Sequence, residues 1–398
     1  MYLDQRDSLR RAEVLGLLER MFRGLEITPY QLELARQHYE SVGQWLAESG
    51  DPLLAGMAIY LQGSTAIGTT IRPIGSDEHD VDLVGHTRLT RSTPPGLLKS
   101  AVGNRLKEHG RYEAILVEMP RCWRLNYAHE FHLDITPSIP NPSCAQGGEL
   151  VPDRKVREWK ASNPKGYRDK FLKRAALEPR WRTTMKSFDR EAAQARGTVE
   201  TFPDQPRFKA ILQRSVQISK RHRDVRFNKP GVDPALKPIS VIVTTLASQS
   251  YEYCVTNNFY DDALQLLRDV LRYMPEFIET RVVDGRQQWF IWNETTIGEN
   301  FAEKWNEHPE RAEAFFDWHA AAVADLERLT DFQGLDGLSK RMTDAFGDTP
   351  TRRAIDEMTN EVSALRNKGR LAAAPAIGLV GGAVAGATPV AANTFFGR

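Results

Sequence analysis

Between residues 6 and 24 the apolar positions Leu9, Val14, Leu15, Leu17, Leu18, Met21 and Phe22 recur at intervals of three and four. That spacing predicts an amphipathic helix. A second helix is predicted from Thr28-Pro29-Tyr30-Gln31 to about Ser49. Thr28 suits the cap, Pro29 the first helical position, and Gln31 completes a capping box. The period then shortens. Residues 57–62 (MAIYLQ) read as a short buried strand, Gly63-Ser64 as a turn into a brief helical segment, and 80–85 as a second strand. The runs 113–118, 122–127 and 131–136 read as further strands, with helical patterns between them. After the Pro/Asn-rich stretch 137–142 and a polar, basic segment, the pattern from about 207 onward is helical. Helices are predicted near 207–225, 238–255, 260–273, 297–307, 308–328 and 350–369. The expected architecture is α+β and bilobal: a mixed-sheet core with N-terminal helices over 1–205, a helical lobe over 206–370, and a tail over 371–398. Pro203 and Pro206 punctuate the boundary between the lobes.

Composition fits an ordinary folded chain, with 41% apolar and 26% charged residues among 398. The net charge of +1 supplies no global field toward nucleic acid or anionic membrane, so no nucleic-acid activator is indicated. Cys122, Cys144 and Cys254 are three, widely spaced, and form neither a zinc pair nor a disulfide framework. With a charged N-terminal stretch that has no apolar leader pattern, they point to a reducing cytoplasm. Residues 371–397 carry no charge. They are long enough to span a bilayer, but Ala, Gly and two prolines dominate them. A flexible small-residue tail without stable membrane insertion is expected.

The chemistry concentrates on acids. Asp80 and Asp82 sit two residues apart on a strand, hence on one face and about 6.5 Å apart along the chain. Paired carboxylates repel unless a cation neutralises them. Hard cations such as Mg²⁺, or Mn²⁺, prefer oxygen ligands and share them with substrate phosphates. Asp134, on the later strand Phe131-His132-Leu133-Asp134-Ile135, would join the pair if the strands were antiparallel neighbours. Three such acids suit a two-metal site, with Asp134 also able to take up a hydroxyl proton. Upstream, Gln62-Gly63-Ser64 offers close backbone approach and a hydroxyl to an anion. Residues 214–229 hold six Lys/Arg against one Asp, a basic helix able to neutralise a triphosphate, or simply a solvated basic face. His222-Arg223-Asp224 mimics a kinase catalytic loop, but position 229 is Lys where that loop needs Asn. His132, beside the third acid, reads as packing or as support for the acids rather than as a zinc ligand, and Trp159 and Trp181 as core.

Gln62-Gly63-Ser64, Asp80-Val81-Asp82 and Leu133-Asp134-Ile135 together resemble the core motifs of the polymerase-β-like nucleotidyltransferases. With Pro152-Asp153-Arg154, Ser162-Asn163-Pro164-Lys165-Gly166-Tyr167 and Lys220-Arg221-His222-Arg223-Asp224 leading to Pro238-Ile239-Ser240, the chain resembles the cGAS/DncV-like enzymes, or CD-NTases, of bacterial anti-phage (CBASS) signalling. The resemblance covers about residues 55–250. It implies a bilobal nucleotidyltransferase that joins nucleoside triphosphates into a cyclic di- or trinucleotide and releases pyrophosphate. It further implies that Asp80, Asp82 and Asp134 bind Mg²⁺, that Gln62, Gly63 and Ser64 meet the triphosphate, and that Lys220 and Ser240 hold phosphates from the helical lobe. Some members are conjugated through the C-terminus by a partner similar to ubiquitin-activating and ubiquitin-conjugating (E1/E2-like) enzymes. The uncharged run 371–397 would serve that chemistry, though Arg398 follows Gly397. The alternatives are an RNA-tailing or small-molecule nucleotidyltransferase and a nucleotide sensor without turnover.

Overall fold

The computed structural model describes residues 2–74, 79–127, 131–153, 155, 157–182, 206–332, 334–374, 378–381 and 387–391. The chain forms two compact units. One comprises Glu26–Arg174 with Glu279–Glu307; the other comprises Met1–Leu25, Ala175–Ile278 and His308–Arg398.

The first unit is built on a mixed sheet. Its strands are β1 (Ala58–Gln62), β2 (His79–His86), β3 (Leu116–Glu118), β4 (Trp123–Tyr127), β5 (Phe131–Pro140), β6 (Glu149–Pro152) and β7 (Trp159–Ser162). The order is β1-β2-β5-β4-β3, with β6 pairing the far end of β5 and β7 pairing β6. Only β2 and β5 run parallel within this sheet. A parallel pair needs a long crossover, and the helix Pro95–Lys107 lies within it. Alternation fixes the buried face. Val81, Leu83, Leu133 and Ile135 cluster with Leu98, Val102 and Leu106 of that helix and with Val42 and Leu46 of the helix Pro29–Ala47. Gly103 makes the close packing possible, since a Cβ there would come within 2.2 Å of the Trp123 ring. The indole Nε1 of Trp123 donates to the Lys99 carbonyl at 2.7 Å. The helix Pro29–Ala47 opens with the predicted capping box: the Gln31 amide donates to Thr28 Oγ1 and the Thr28 amide to Gln31 Oε1.

Three expectations are corrected here. The strand expected over 113–118 starts late, because Glu113 closes a short helix, Gly110–Glu113. The prolines of 137–142 do not end the sheet: β5 runs to Pro140, and β6 and β7 extend it. Pro137 is tolerated because β4 pairing ends at Ile135 and β6 pairing begins at Ile139, so no partner on that side needs its missing N–H. The helix expected over 297–307 is only Glu303–Glu307. Before it lies a hairpin, Glu279–Val283 with Arg286–Phe290, turning on Asp284 and Gly285, both at positive φ. Asp-Gly is the dipeptide such a tight turn favours. Arg174 binds this segment in a fork, Nη1 to Glu294 Oε2 at 2.6 Å and Nη2 to Oε1 at 3.0 Å.

The second unit is helical. Its longer helices are Tyr2–Leu25, Pro206–Phe227, Ser240–Asn257, Ala263–Arg272, Glu310–Arg328, Gly334–Phe346 and Asp348–Asn367. The first predicted helix therefore belongs here rather than with the sheet: Leu17, Leu18, Met21 and Phe22 are buried, and Phe22 meets Phe346 edge-on. Residues 183–205, where the lobe boundary was expected, lie outside the described residues. The stretch expected as a flexible tail contains short paired strands, Leu371–Ala374 with Gly378–Gly381 and Thr388–Pro389. Leu371 and Ala372 are buried, so this part of the tail has an apolar anchor. Residues 392–398, which include the C-terminal Gly397-Arg398, lie outside the described residues. Among the described residues no helix is long and apolar enough to cross a membrane, and the three cysteines are free.

Candidate active site

Gln62, the last residue of β1, stands opposite Asp82 on β2. On the other side of β2, Asp82 stands opposite Asp134 of β5, and Asp134 in turn stands opposite Arg124 of β4. Four functional side chains thus form one row across four strands, with neighbouring strands about 4.8 Å apart. Side chains in register share a face, so the row lies opposite to the buried Val81, Leu83 and Leu133. Asp80 is one pleat along, opposite His132. The acids meet through parallel pairing, not the antiparallel pairing expected. The helical crossover delivers β5 alongside β2 in the same direction.

Gly63 is essential to the row. Its φ is +64°, and a Cβ there would lie 2.2 Å from Asp82 Oδ2. Any side chain would be both strained and in collision with that carboxylate. The turn that follows is tied down. The Thr69 amide donates to the Ser64 carbonyl at 3.0 Å, and Thr70 Oγ1 donates to Ser64 Oγ at 3.2 Å. The Ser64 hydroxyl therefore has its orientation set from below, leaving its own proton to donate.

Arg124 is the residue the sequence reading did not single out. Its Nε donates to Asp134 Oδ1 at 2.7 Å, and its Nη2 to Asp134 Oδ2 at 2.8 Å and to Asp80 Oδ1 at 3.2 Å. His132 Nδ1 lies 3.4 Å from the same Asp80 oxygen, so of the two places read for it His132 takes the one that supports the acids. The hydrogen bond to Asp134 holds the Arg124 guanidinium charged even more firmly than usual, against the opposing effect of burial. Burial, then the Asp134 carboxylate, pushes the Cys122 thiol up to about 12, which keeps it a thiol rather than a free thiolate nucleophile at neutral pH. The available signal for Arg124 was an arginine at the centre of an otherwise strand-like run. Its partner depended on a register that no short-range pattern specifies.

The donor set fits a divalent cation of the Mg²⁺ type. Three carboxylates supply hard oxygen ligands on one face, and Gly63 brings the backbone against one of them. In the present arrangement the cation touching Asp134 and Asp80 is Arg124. Among the described residues, no three His, Cys, Asp or Glu side chains are gathered closely enough to enclose a metal ion.

Lys220 and Ser240 lie in the helical unit. The middle of the basic run is not a solvated face, although Lys229 at its end is exposed. Lys220, Arg221, His222 and Arg223 are all at most 6% exposed. Arg221 Nε donates to the Phe346 carbonyl, His222 lies 3.1 Å from Asp325, and Arg223 Nη1 donates to Pro238 O and to Ser240 Oγ. The contacts around Lys220 therefore join helices. Trp159 is core, as read, with its Nε1 donating to Thr93 O. Further along the same face of the sheet, where Val84 and Ser138 are buried, the sequence reading also missed a buried polar group. His86 Nδ1 lies 2.9 Å from Ser138 Oγ, which donates to the buried Glu149 at 2.7 Å.

Residues 19–174 match the model of the Second Messenger Oligonucleotide or Dinucleotide Synthetase domain. The chain is 29% identical over 393 residues to a c-di-GMP synthase of Roseivirga ehrenbergii, covering 97% of this chain and 98% of the relative. It is 25% identical over 346 residues to the cyclic dinucleotide synthase CdnG of Bradyrhizobium diazoefficiens, covering 83% and 80%. The structure of the Bradyrhizobium CdnG in complex with GTP superposes with a TM-score of 0.64 at 20% identity, over 87% of this chain and 99% of that one. With the row of acids, the glycine turn and these matches taken together, residues 19–174 are identified as a Second Messenger Oligonucleotide or Dinucleotide Synthetase domain, within a chain similar over nearly its whole length to a c-di-GMP synthase.

Proposed function

We propose that this chain is a nucleotidyltransferase that joins nucleoside triphosphates into a cyclic dinucleotide. The names of its relatives, a c-di-GMP synthase and a cyclic dinucleotide synthase, favour a cyclic dinucleotide, and the first of them favours one that contains guanosine. The observation that carries the reading is the in-register pair Asp82 and Asp134, with Gly63 pressed against Asp82. A divalent cation held by Asp80, Asp82 and Asp134, Mg²⁺ or Mn²⁺, would neutralise triphosphate charge and acidify the attacking hydroxyl.

In each transfer a ribose hydroxyl oxygen bonds to the α-phosphorus of a second nucleotide. The bond from that phosphorus to the β-phosphate oxygen breaks, and pyrophosphate leaves. Asp134 has a side chain only 13% exposed against 57% for Asp80, and is the acid better shielded to take up the hydroxyl proton. The Ser64 hydroxyl and the Gln62 amide would hold the triphosphate from the β1 side. A second transfer in the same site closes the ring. The chain's contribution is positioning and charge placement rather than a covalent intermediate. Lys220 and Ser240 remain candidates for phosphate contacts from the helical unit. Signalling in bacterial anti-phage defence, within the cytoplasm, is the setting we propose for the product. Conjugation of the C-terminal tail by an E1/E2-like partner is the further role proposed for residues 371–398.

The test is incubation of the full chain with the four labelled ribonucleoside triphosphates and Mg²⁺ or Mn²⁺, followed by mass spectrometry. A cyclic product formed without added RNA, and lost in the Asp80→Asn/Asp82→Asn double variant, is expected. Nucleotide binding without pyrophosphate release would make the protein a sensor. Product only on addition of RNA would make it a tailing enzyme. Equal yield from the double variant would remove the acids from the site.

A further inference from the structure

Arg124 places a fixed positive charge among the acids, and nothing in the reaction as described uses it. Its fork engages both oxygens of Asp134 and reaches one oxygen of Asp80. Arg124 and Asp134 are only 21% and 13% exposed, so their attraction is less screened than that of a surface pair. A guanidinium keeps its proton under all ordinary conditions, and its planar fork matches a carboxylate or a phosphate equally well. The residue is anchored on β4, directly opposite Asp134 in the ladder, so the fork is delivered to the acid by the sheet itself.

We propose that Arg124 is a built-in counter-cation of the acidic cluster, which occupies Asp134 and Asp80 in the nucleotide-free protein and opposes settling of a divalent cation there until a triphosphate draws the guanidinium away. The inference rests on the functional reading above and concerns a positioning residue, not a catalytic one. Two consequences follow from its chemistry. Before nucleotide arrives, a divalent cation must compete with Arg124 for lone pairs of Asp134 and must sit beside a like charge. Once phosphates are present, they offer the fork an equivalent bidentate partner, and the acids are released to the cation. Cation and nucleotide are thereby made to bind together, and positive charge faces Asp134 at every stage.

The experiment is Mn²⁺ titration of the full chain, followed by electron paramagnetic resonance, with and without a non-hydrolysable nucleoside triphosphate. Without nucleotide, Arg124→Met is expected to bind Mn²⁺ about tenfold or more tightly than the wild type, because a like charge has been removed. Arg124→Lys, which keeps the charge, is expected to stay close to the wild type. With the analogue present, the difference between Arg124→Met and wild type is expected to shrink. Unchanged or weaker Mn²⁺ binding by Arg124→Met overturns the proposal, as does Arg124→Lys tightening as much as Arg124→Met. If wild type still makes its cyclic product in either of those cases, the functional reading stands and only the role of Arg124 falls. If tightened binding survives addition of Asp82→Asn, the cation is not in this site and the proposal falls, while the functional reading is decided separately by whether product is lost in the Asp80→Asn/Asp82→Asn double variant.

Discussion

Asp82 and Asp134 face each other across the parallel pair β2 and β5, with Gln62 flanking Asp82 and Arg124 flanking Asp134. Two carboxylates in register, about 4.8 Å apart at Cα, make a repulsive arrangement unless positive charge is supplied. The sheet supplies one such charge from β4, and the remainder of the demand is what the proposed cation and triphosphate would meet. Removing either acid should therefore abolish transfer without unfolding the chain. Asp82→Asn and Asp134→Asn are each expected to lower product formation by on the order of 10²-fold or more, about 3 kcal/mol of lost transition-state stabilisation. Initial rates of pyrophosphate release, with circular dichroism as the folding control, check this.

Gly63→Ala introduces a Cβ into 2.2 Å of space before Asp82 Oδ2 at a φ of +64°. A left-handed backbone at a residue with a Cβ costs about 1–2 kcal/mol by itself. The larger effect should fall on function, since Asp82 must rotate away. The expected outcome is a modest fall in denaturant stability together with loss of most product formation. Full activity in the variant would mean that Asp82 does not need its present rotamer.

Glu294 ties the hairpin segment to the sheet unit, and its behaviour with pH is predictable in sign. Burial would raise its pKa, but Arg174 and then Lys170 outweigh burial and hold it below the usual glutamate value. A depressed carboxylate contributes stability that is complete above the unfolded-state pKa, about 4.3, and is lost as pH falls through the folded-state value. Glu294→Gln should destabilise the protein at pH 7 by about 1–3 kcal/mol, discounted for partial exposure of the glutamate. The gap between variant and wild type should close progressively below about pH 4. Denaturant midpoints measured from pH 7 to 3 provide the comparison.

Arg221 tests whether the basic run serves the fold. Its guanidinium is buried, donates to the Phe346 carbonyl and lies 3.1 Å from where a Cβ on Gly347 would stand. Burial draws its pKa down, partly offset by Asp224. Arg221→Met removes a buried hydrogen-bonded charge and leaves a carbonyl unsatisfied, at a cost of about 2 kcal/mol. A solvated basic residue would give less than about 0.5 kcal/mol. Urea unfolding distinguishes the two.

Local signals carried much of the architecture. The capping box at Thr28 and Gln31, the strand runs around Asp80–Asp82 and Asp134, and the helical periodicity after residue 207 each depend on residues a few positions apart, so they are present in the sequence as such. So is the face that the acids share, because strand alternation puts Asp80 and Asp82 opposite Val81 and Leu83 whatever the partner strand. The Asp284-Gly285 turn was equally local and simply went unread. What only the tertiary structure decided is which strands lie side by side, in which direction and in what register. That assignment put Asp134 against Asp82, chose Arg124 as the charge beside them, buried Lys220 and its neighbours, and sent the first helix to the helical unit. Pairing and burial of this kind are won by the summed packing of residues distant in sequence, which a short window of the chain does not contain.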